Sequence, residues 1–232
     1  MSSPGVSPKS SLRKSILGIY RGRGHGNNNL WLVYSVKTNK DWVLPSDRQL
    51  VHWLYYLESN PDVASFDLAP DRVISHDGYE ARGTELDAIA VNRNGQIEWH
   101  EVKAEESGNA EEQSQSRAQV QAATAVAAKY RRFSDRDFKG APTTIGLRWL
   151  KPLVFAEVIR DQELIPYRSS LAAYFDYKKK GTLQDLLNDL SGLDSAALLG
   201  MLMRFASENI VTIDLTKAPF GPCTKWHSNV QR

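Results

Sequence analysis

The chain of 232 residues has a single cysteine, Cys223. That excludes an internal disulfide and any zinc site built from several thiolates. No apolar run approaches the roughly 20 residues of a membrane span. The N-terminus is basic but has no hydrophobic stretch of signal-peptide type, so a cytoplasmic protein with no membrane partner is expected. There is no internal repeat, no Gly-x-Ser-x-Gly elbow and no phosphate loop of Walker type. Acidic residues are missing from positions 1–30, which carry Lys9, Arg13, Lys14, Arg21 and Arg23. This segment, bounded at residues 1–29, reads either as a basic arm lying along phosphates or as a solvated N-terminus. The net charge of +2 for the whole chain does not by itself point to nucleic acid.

What is present is enough for a core, with 41% hydrophobic residues. The length suits one sizeable domain, placed at 30–165, and a smaller one at 166–232. Leu30 to Val36 reads as a short strand. Ser46 opens a helix in which Leu50, Trp53, Leu54 and Leu57 recur at helical spacing, and Ser46 with Gln49 fits a capping box. Asn60-Pro61 ends it. Val63–Leu68 and Arg72–Ser75 read as strand pieces, with a turn at His76-Asp77-Gly78. Glu105–Ser116 reads as a polar loop leading into an alanine-rich helix over Ala118–Phe133. Thr143–Leu147 and Leu153–Ile159 read as strands. The fold class expected is α/β, a mixed sheet flanked by helices.

The chemistry concentrates in one stretch, Glu85-Leu86-Asp87, thirteen residues, then Glu101-Val102-Lys103. Thr84–Asn92 and Gln96–Ala104 read as strands around a turn at Asn94-Gly95. A two-residue loop sets Asp87 opposite Val102. A three-residue loop, Arg93-Asn94-Gly95 with Gly95 left-handed, sets Asp87 opposite Glu101, and this loop, or a bulge with the same effect, is predicted. Isoleucine, valine and tryptophan alternate onto the faces of these acids, so the carboxylates need a metal or a cationic partner. A phosphodiester repels an attacking hydroxide, and a hard divalent cation held by oxygens removes that obstacle. Asp87 and Glu101 offer carboxylates, the Val102 carbonyl a third oxygen, and Lys103 a fixed cation to orient water or balance charge on phosphorus. The bland alternative is an exposed hairpin with a cross-strand Glu–Lys pair.

An acid, a short hairpin and a Glu-x-Lys triplet resemble the signature of PD-(D/E)xK nucleases. The order of further stretches is similar to that of the TnsA endonuclease subunits of heteromeric transposases. These stretches are Tyr56-Leu57-Glu58-Ser59-Asn60-Pro61-Asp62-Val63 with Phe66, the Asp87 strand and Glu101-Val102-Lys103 triplet, Gly181-Thr182-Leu183-Gln184-Asp185-Leu186-Leu187, and Ile213-Asp214-Leu215. They span most of residues 46–216.

The resemblance implies a restriction-endonuclease-like domain followed by a winged-helix-like one. It implies Asp87, Glu101 and Lys103 as catalytic residues, with Mg²⁺ or Mn²⁺ on Asp87, Glu101 and Val102. It further implies hydrolysis at the 5′ ends of a transposon, and as partners double-stranded DNA, a DDE-type transposase subunit and an AAA+ regulator ATPase. The setting implied is bacterial and nucleoid-associated. One departure stands out. The family's first helix carries a metal-binding glutamate where this chain reads Ser46-Asp47-Arg48-Gln49, leaving Gln49 or Asp47 for that role and Glu58 as a poorer choice. Gln119 and Gln121, in the helix after the hairpin, either point at the site or lie on a solvated face.

At the C-terminal end, Pro166–Lys180 reads as a joint with Tyr177-Lys178-Lys179-Lys180 adding charge. Leu183–Leu190 and Ser195–Ser207 read as helices, the second capped by Asp194. Ile210–Leu215 and Thr224–Ser228 read as paired strands. Such a module binds DNA or protein, or only buttresses the main domain. Two other readings of the whole chain stand: a nuclease of the same superfamily working in restriction or repair, and a catalytically weakened adaptor that binds a protein.

Overall fold

A computed structural model of the chain describes residues 29–71, 73–77, 80–104 and 110–230. Apart from Asn29, the basic arm lies outside these residues, as do Gly78 of the expected turn and residues 105–109 after the hairpin. The described chain is mixed α/β and divides into two compact units. The first holds the residues up to Val33 with Asp41–Trp53 and Asp62–Lys139. The second holds Tyr34–Lys40, Leu54–Pro61 and the residues from Gly140 onward.

Strands β1 (Trp31–Ser35) and β2 (Lys40–Leu44) form a two-stranded sheet. Ser46, in extended conformation, then caps α1 (Asp47–Val51) by accepting from the Gln49 N–H at 3.3 Å. The helix runs on as a π-helical turn, His52–Glu58, closed by Ser59 N–H to Leu54 C=O at 3.0 Å. Leu50, Trp53, Leu54 and Leu57 are all buried, as their helical spacing predicts.

In the first unit, β3 (Val63–Asp67), β6 (Ala88–Asn92), β7 (Ile97–Val102) and β8 (Lys129–Phe133) form a mixed four-stranded sheet in the order β3-β6-β7-β8. β6 is antiparallel to β3 and β7, and β8 runs parallel to β7. β4 (Val73–Asp77) pairs with β5 (Glu80–Thr84) as a separate hairpin, so His76 and Asp77, read as part of a turn, end β4. α2 (Ala110–Ala125) makes the crossover that a parallel pair requires. On one face of the sheet Leu86, Trp99, Ala123 and Ala128 form a cluster with Ile89, Ala122 and Tyr130 against it. Side chains alternate along a strand, so His100 of β7 points to the opposite face, where it meets Phe133 and His52.

Further sequence expectations differ from what is seen here: residues 110–116, read as the end of a polar loop, already belong to α2. The helix read through Phe133 stops at Ala125, and Lys129–Phe133 is the parallel strand β8. The stop is a Schellman turn. Ala127 is left-handed at φ 55, Ala128 N–H reaches Ala123 C=O at 2.8 Å, and Ala127 N–H reaches Thr124 C=O at 3.0 Å. An alanine in that place carries no sequence signal, because glycine is the usual residue there.

Another difference is at Thr143–Leu147 and Leu153–Ile159, read as strands but found in helices α3 (Ala141–Arg148) and α4 (Leu150–Val158) or at the end of α4. Pro142 sits in the first turn of α3, where its missing N–H costs nothing. In α4, Pro152, Leu153, Ala156 and then Ile159 are buried while Val154 and Val158 are exposed. That three-and-four spacing is helical. The short apolar run it interrupts carries no period of its own.

The rest of the second unit is α5 (Ile165–Tyr177), β9 (Lys180–Thr182), α6 (Leu183–Asp189), α7 (Ser195–Ser207), β10 (Val211–Asp214) and β11 (Lys225–Ser228). The segment read as a joint is thus mostly helix. The three strands pair antiparallel in the order β10-β11-β9. Thr182 and Asp185 close a capping box, and Asp194 caps α7 by accepting from Ala197 N–H at 2.8 Å. Phe175 packs against Trp226 at 4.9 Å and Phe205 at 5.9 Å between ring centres, the centre of this unit's core.

Candidate functional site

The site lies at the end of the β6–β7 hairpin in the first unit. Asn92 N–H bonds to Gln96 C=O and Gly95 N–H to Asn92 C=O, both at 2.9 Å, with Gly95 at φ 83. This is the three-residue loop, and the strands pair Val91 with Ile97 through Ala88 with His100. The ladder ends at that last pair, with Asp87 just before Ala88 and Glu101 just after His100. The chain bends there, for Asp87 N–H donates to His100 C=O at 2.9 Å.

Asp87 and Glu101 are both buried, at 4% and 2% exposed, which is far from the usual state of a surface carboxylate. Asp87 accepts from Val102 N–H at 2.7 Å through Oδ2 and from Gln49 Nε2 at 3.0 Å through Oδ1. Glu101 Oε1 takes the ammonium of Lys103 at 2.9 Å. Lys103, just past β7, is held at the backbone by its N–H to Phe133 C=O at 2.9 Å, and its side chain reaches partly into solvent.

The first helix supplies Gln49. Its backbone N–H serves the Ser46 cap while its side chain turns to Asp87, so the residue is more than a capping partner. Its Oε1 is buried and accepts no hydrogen bond among the described residues. Asp47 is engaged elsewhere, accepting from Trp31 Nε1 at 2.9 Å and Asn29 Nδ2 at 3.0 Å. Glu58 belongs to the second unit. There it binds Ser35 Oγ at 2.7 Å and the N–H groups of Val36 and Lys37, and burial pushes its carboxyl up.

Of the two glutamines, Gln119 is buried and accepts the Tyr130 hydroxyl at 2.8 Å, whereas Gln121 is exposed. Burial, then the charge of Glu101, and to a lesser degree that of Asp87, push Tyr130 up to about 12, so both carboxylates bear on this phenol. Arg132 stands beside Glu101 in the β7–β8 register, and its buried Nε makes no hydrogen bond among the described residues.

The groups that could hold a metal here are hard oxygens: the Asp87 and Glu101 carboxylates, the Val102 carbonyl and the amide oxygen of Gln49. Such a set suits Mg²⁺ or Mn²⁺ rather than a thiophilic metal. It holds only two acids, and among the described residues no group of three or more His, Cys, Asp or Glu is disposed around a metal position.

Behind the site, residues the sequence did not single out form a buried polar chain. His52 Nε2 and His100 Nδ1 are 3.0 Å apart, and His100 Nε2 lies 3.2 Å from Glu98 Oε2. Arg131 Nη1 also reaches Glu98 Oε2 at 3.2 Å. The hydrogen bond from His100, helped by Arg131, holds the Glu98 carboxyl down at about 2 against an ordinary 4.5. Burial pushes the His100 imidazole down, against the raising effect of its hydrogen bond to Glu98.

A lowered carboxyl stabilises the fold above the unfolded value and loses that stabilisation as pH falls. Glu98 is therefore expected to contribute about 3 kcal/mol at neutral pH, lost between about pH 4.5 and 2. Glu98→Gln should flatten the stability profile over that window in denaturant titrations at pH 3 and pH 7, and an unchanged slope would contradict the assignment.

Among the described residues no helix is long and apolar enough to cross a membrane. Comparison with protein-family models finds no match, and a search of the curated proteins finds none either.

Proposed function

We propose that this chain is a Mg²⁺-dependent DNA endonuclease of the PD-(D/E)xK kind, serving as a TnsA-like subunit that cuts the 5′ ends of a transposon. The observation that carries the reading is the convergence at the hairpin end. Asp87 accepts the Val102 N–H beside Glu101, Lys103 is ion-paired to Glu101, and the first helix delivers Gln49 to Asp87. The mixed β3-β6-β7-β8 sheet with helices on its faces supports a restriction-endonuclease-like core. In the second unit, two helices followed by a strand pair, with β9 completing the sheet, support a winged-helix-like module. The DDE-type transposase subunit, the AAA+ regulator and double-stranded DNA are the partners this reading supplies.

Asp87, Glu101 and the Val102 carbonyl would hold the metal, with Gln49 Oε1 as a neutral fourth donor. The metal supplies charge neutralisation at phosphate and an acidified water. Val102 N–H fixes the Asp87 carboxylate in place before any substrate arrives. Lys103, tethered through Glu101 but open to solvent, places a positive charge where negative charge grows on the phosphoryl oxygens. Tyr130 stays protonated at physiological pH and keeps its donor on Gln119, so it does not compete as a base.

The low count of acids favours a second reading, an adaptor that keeps the fold and has lost tight metal binding. Calorimetric titration with Mn²⁺ separates the two. The nuclease reading expects saturable binding that is lost in Asp87→Ala while the far-ultraviolet spectrum stays native. The absence of any Asp87-dependent binding would favour the adaptor.

A further inference from the structure

The buried histidine pair lies between the two elements that carry the site. His52 follows Gln49 by three residues, so the two side chains lie on one side of the helix and project toward the hairpin. His100 immediately precedes Glu101 on β7 and points to the opposite face of the strand. Both rings are 1% exposed, which places them out of reach of any substrate. The contact between them is therefore not a reacting group, but it joins the helix of Gln49 to the strand of Glu101.

The partners fix which nitrogen carries each proton. Glu98 is an ionised acceptor, also held by Arg131, so His100 must donate to it from Nε2. An imidazole that donates from Nε2 in its neutral tautomer has a lone pair at Nδ1, and the 3.0 Å contact then has His52 donating into it from Nε2. The chain runs one way, from helix to strand to carboxylate. Phe133 closes it from the side, with ring centres 4.7 Å from His52 and 5.0 Å from His100, and Arg131 lies 4.8 Å over the Phe133 ring. A directed, fully buried chain of this kind has one low-energy arrangement, because any ring flip leaves a donor facing a donor or a polar atom unsatisfied. Supporting hydrogen bonds of this sort, behind a ligand set, characteristically fix the geometry of the groups in front.

We propose that His52 and His100 are positioning residues: the His52–His100–Glu98 chain locks the first helix onto β7 and so sets Gln49 against Asp87. The inference deepens the metal-site reading and rests on it for its functional meaning, but its structural content stands apart.

The test uses the full chain and three substitutions. His52→Gln keeps an N–H donor near the place of Nε2. His52→Phe fills the volume without a donor, and His52→Met is a second donor-free variant, more adaptable in packing, should the phenylalanine not fold. Nitrogen-15 spectra of the wild type are expected to show both rings protonated at Nε2. The side-chain amide resonances of Gln49 are expected to shift in the Phe and Met variants and to return in His52→Gln. Mn²⁺ affinity, read by calorimetry, is expected to fall about 10-fold or more in the donor-free variants and to recover within about 2-fold in His52→Gln.

A Gln49 amide that does not move in the donor-free variants, or a His100 ring protonated at Nδ1, would overturn the proposal whatever the metal does. If the wild type binds no Mn²⁺ while the Gln49 amide responds as expected, the metal-site reading fails and the positioning role stands.

Discussion

Lys103→Ala is expected to lower DNA cleavage by about 10²- to 10³-fold, the scale on which one electrostatic stabiliser of a developing charge is lost. The same substitution leaves the Glu101 carboxylate buried without the ammonium now at 2.9 Å. Removing one partner of a fully buried pair costs about 3–5 kcal/mol, and here the lysine side chain is 41% exposed, so a smaller loss of about 1–2 kcal/mol is expected. Glu101→Gln on the Lys103→Ala background should then recover part of that stability, because a buried charge is gone, without recovering cleavage. This crossing of signs separates a site from a plain structural ion pair. If the two residues were only a surface pair on a hairpin, cleavage would be unaffected by either change. Nicking assays with urea unfolding of the single and double variants read both quantities.

The second large effect is expected at Gln49. Gln49→Glu replaces a donor 3.0 Å from Asp87 with a carboxylate, so a hydrogen bond becomes a like-charge contact in a buried setting. Without metal the variant should lose about 1–3 kcal/mol. With Mg²⁺ the order reverses, because a third carboxylate joins the ligands and charge count raises affinity for a hard cation. Mg²⁺ binding is expected to tighten about 10-fold, and the thermal midpoint should rise with Mg²⁺ more steeply than in the wild type, as selective binding to the folded state requires. Differential scanning fluorimetry across a Mg²⁺ series measures both trends at once. Equal metal response in the two proteins would mean that Gln49 does not face the metal position.

These two expectations rest on features that were unequally visible in the chain. The hairpin register was legible because Asn94-Gly95 restricts the turn and only a three-residue loop aligns two acids, and the pairs Val91–Ile97 and Ala88–His100 follow it. The start of the first helix was legible from Ser46, whose hydroxyl competes well for a free N–H. Whether Gln49 capped the helix or served the site was not legible. A glutamine can do either, and the side chain takes Asp87 while the backbone takes Ser46.

His52 and His100 stand 48 positions apart with no spacing to link them, and only the docking of helix on strand makes them a pair. β8 was hidden for a different reason. Alanines and basic residues favour a helix over Ala118–Phe133, and the chain stops it with a left-handed alanine at 127. At 153–159 the β-branched and aromatic residues favour a strand locally, but burial at Leu153, Ala156 and Ile159 selects a helix. In the second unit, α7 and its Asp194 cap fell where hydrophobic spacing and cap chemistry agree, which is why that segment was read to the residue.

The most direct measurement is cleavage of supercoiled plasmid in Mg²⁺ or Mn²⁺, with and without the proteins encoded by the neighbouring genes. The account predicts nicked or linear product from the wild type, abolished by chelator and absent from Asp87→Ala and Lys103→Ala proteins that fold normally. Cutting that persists unchanged in both variants, or no cutting by the wild type in either metal with those proteins present, would contradict it.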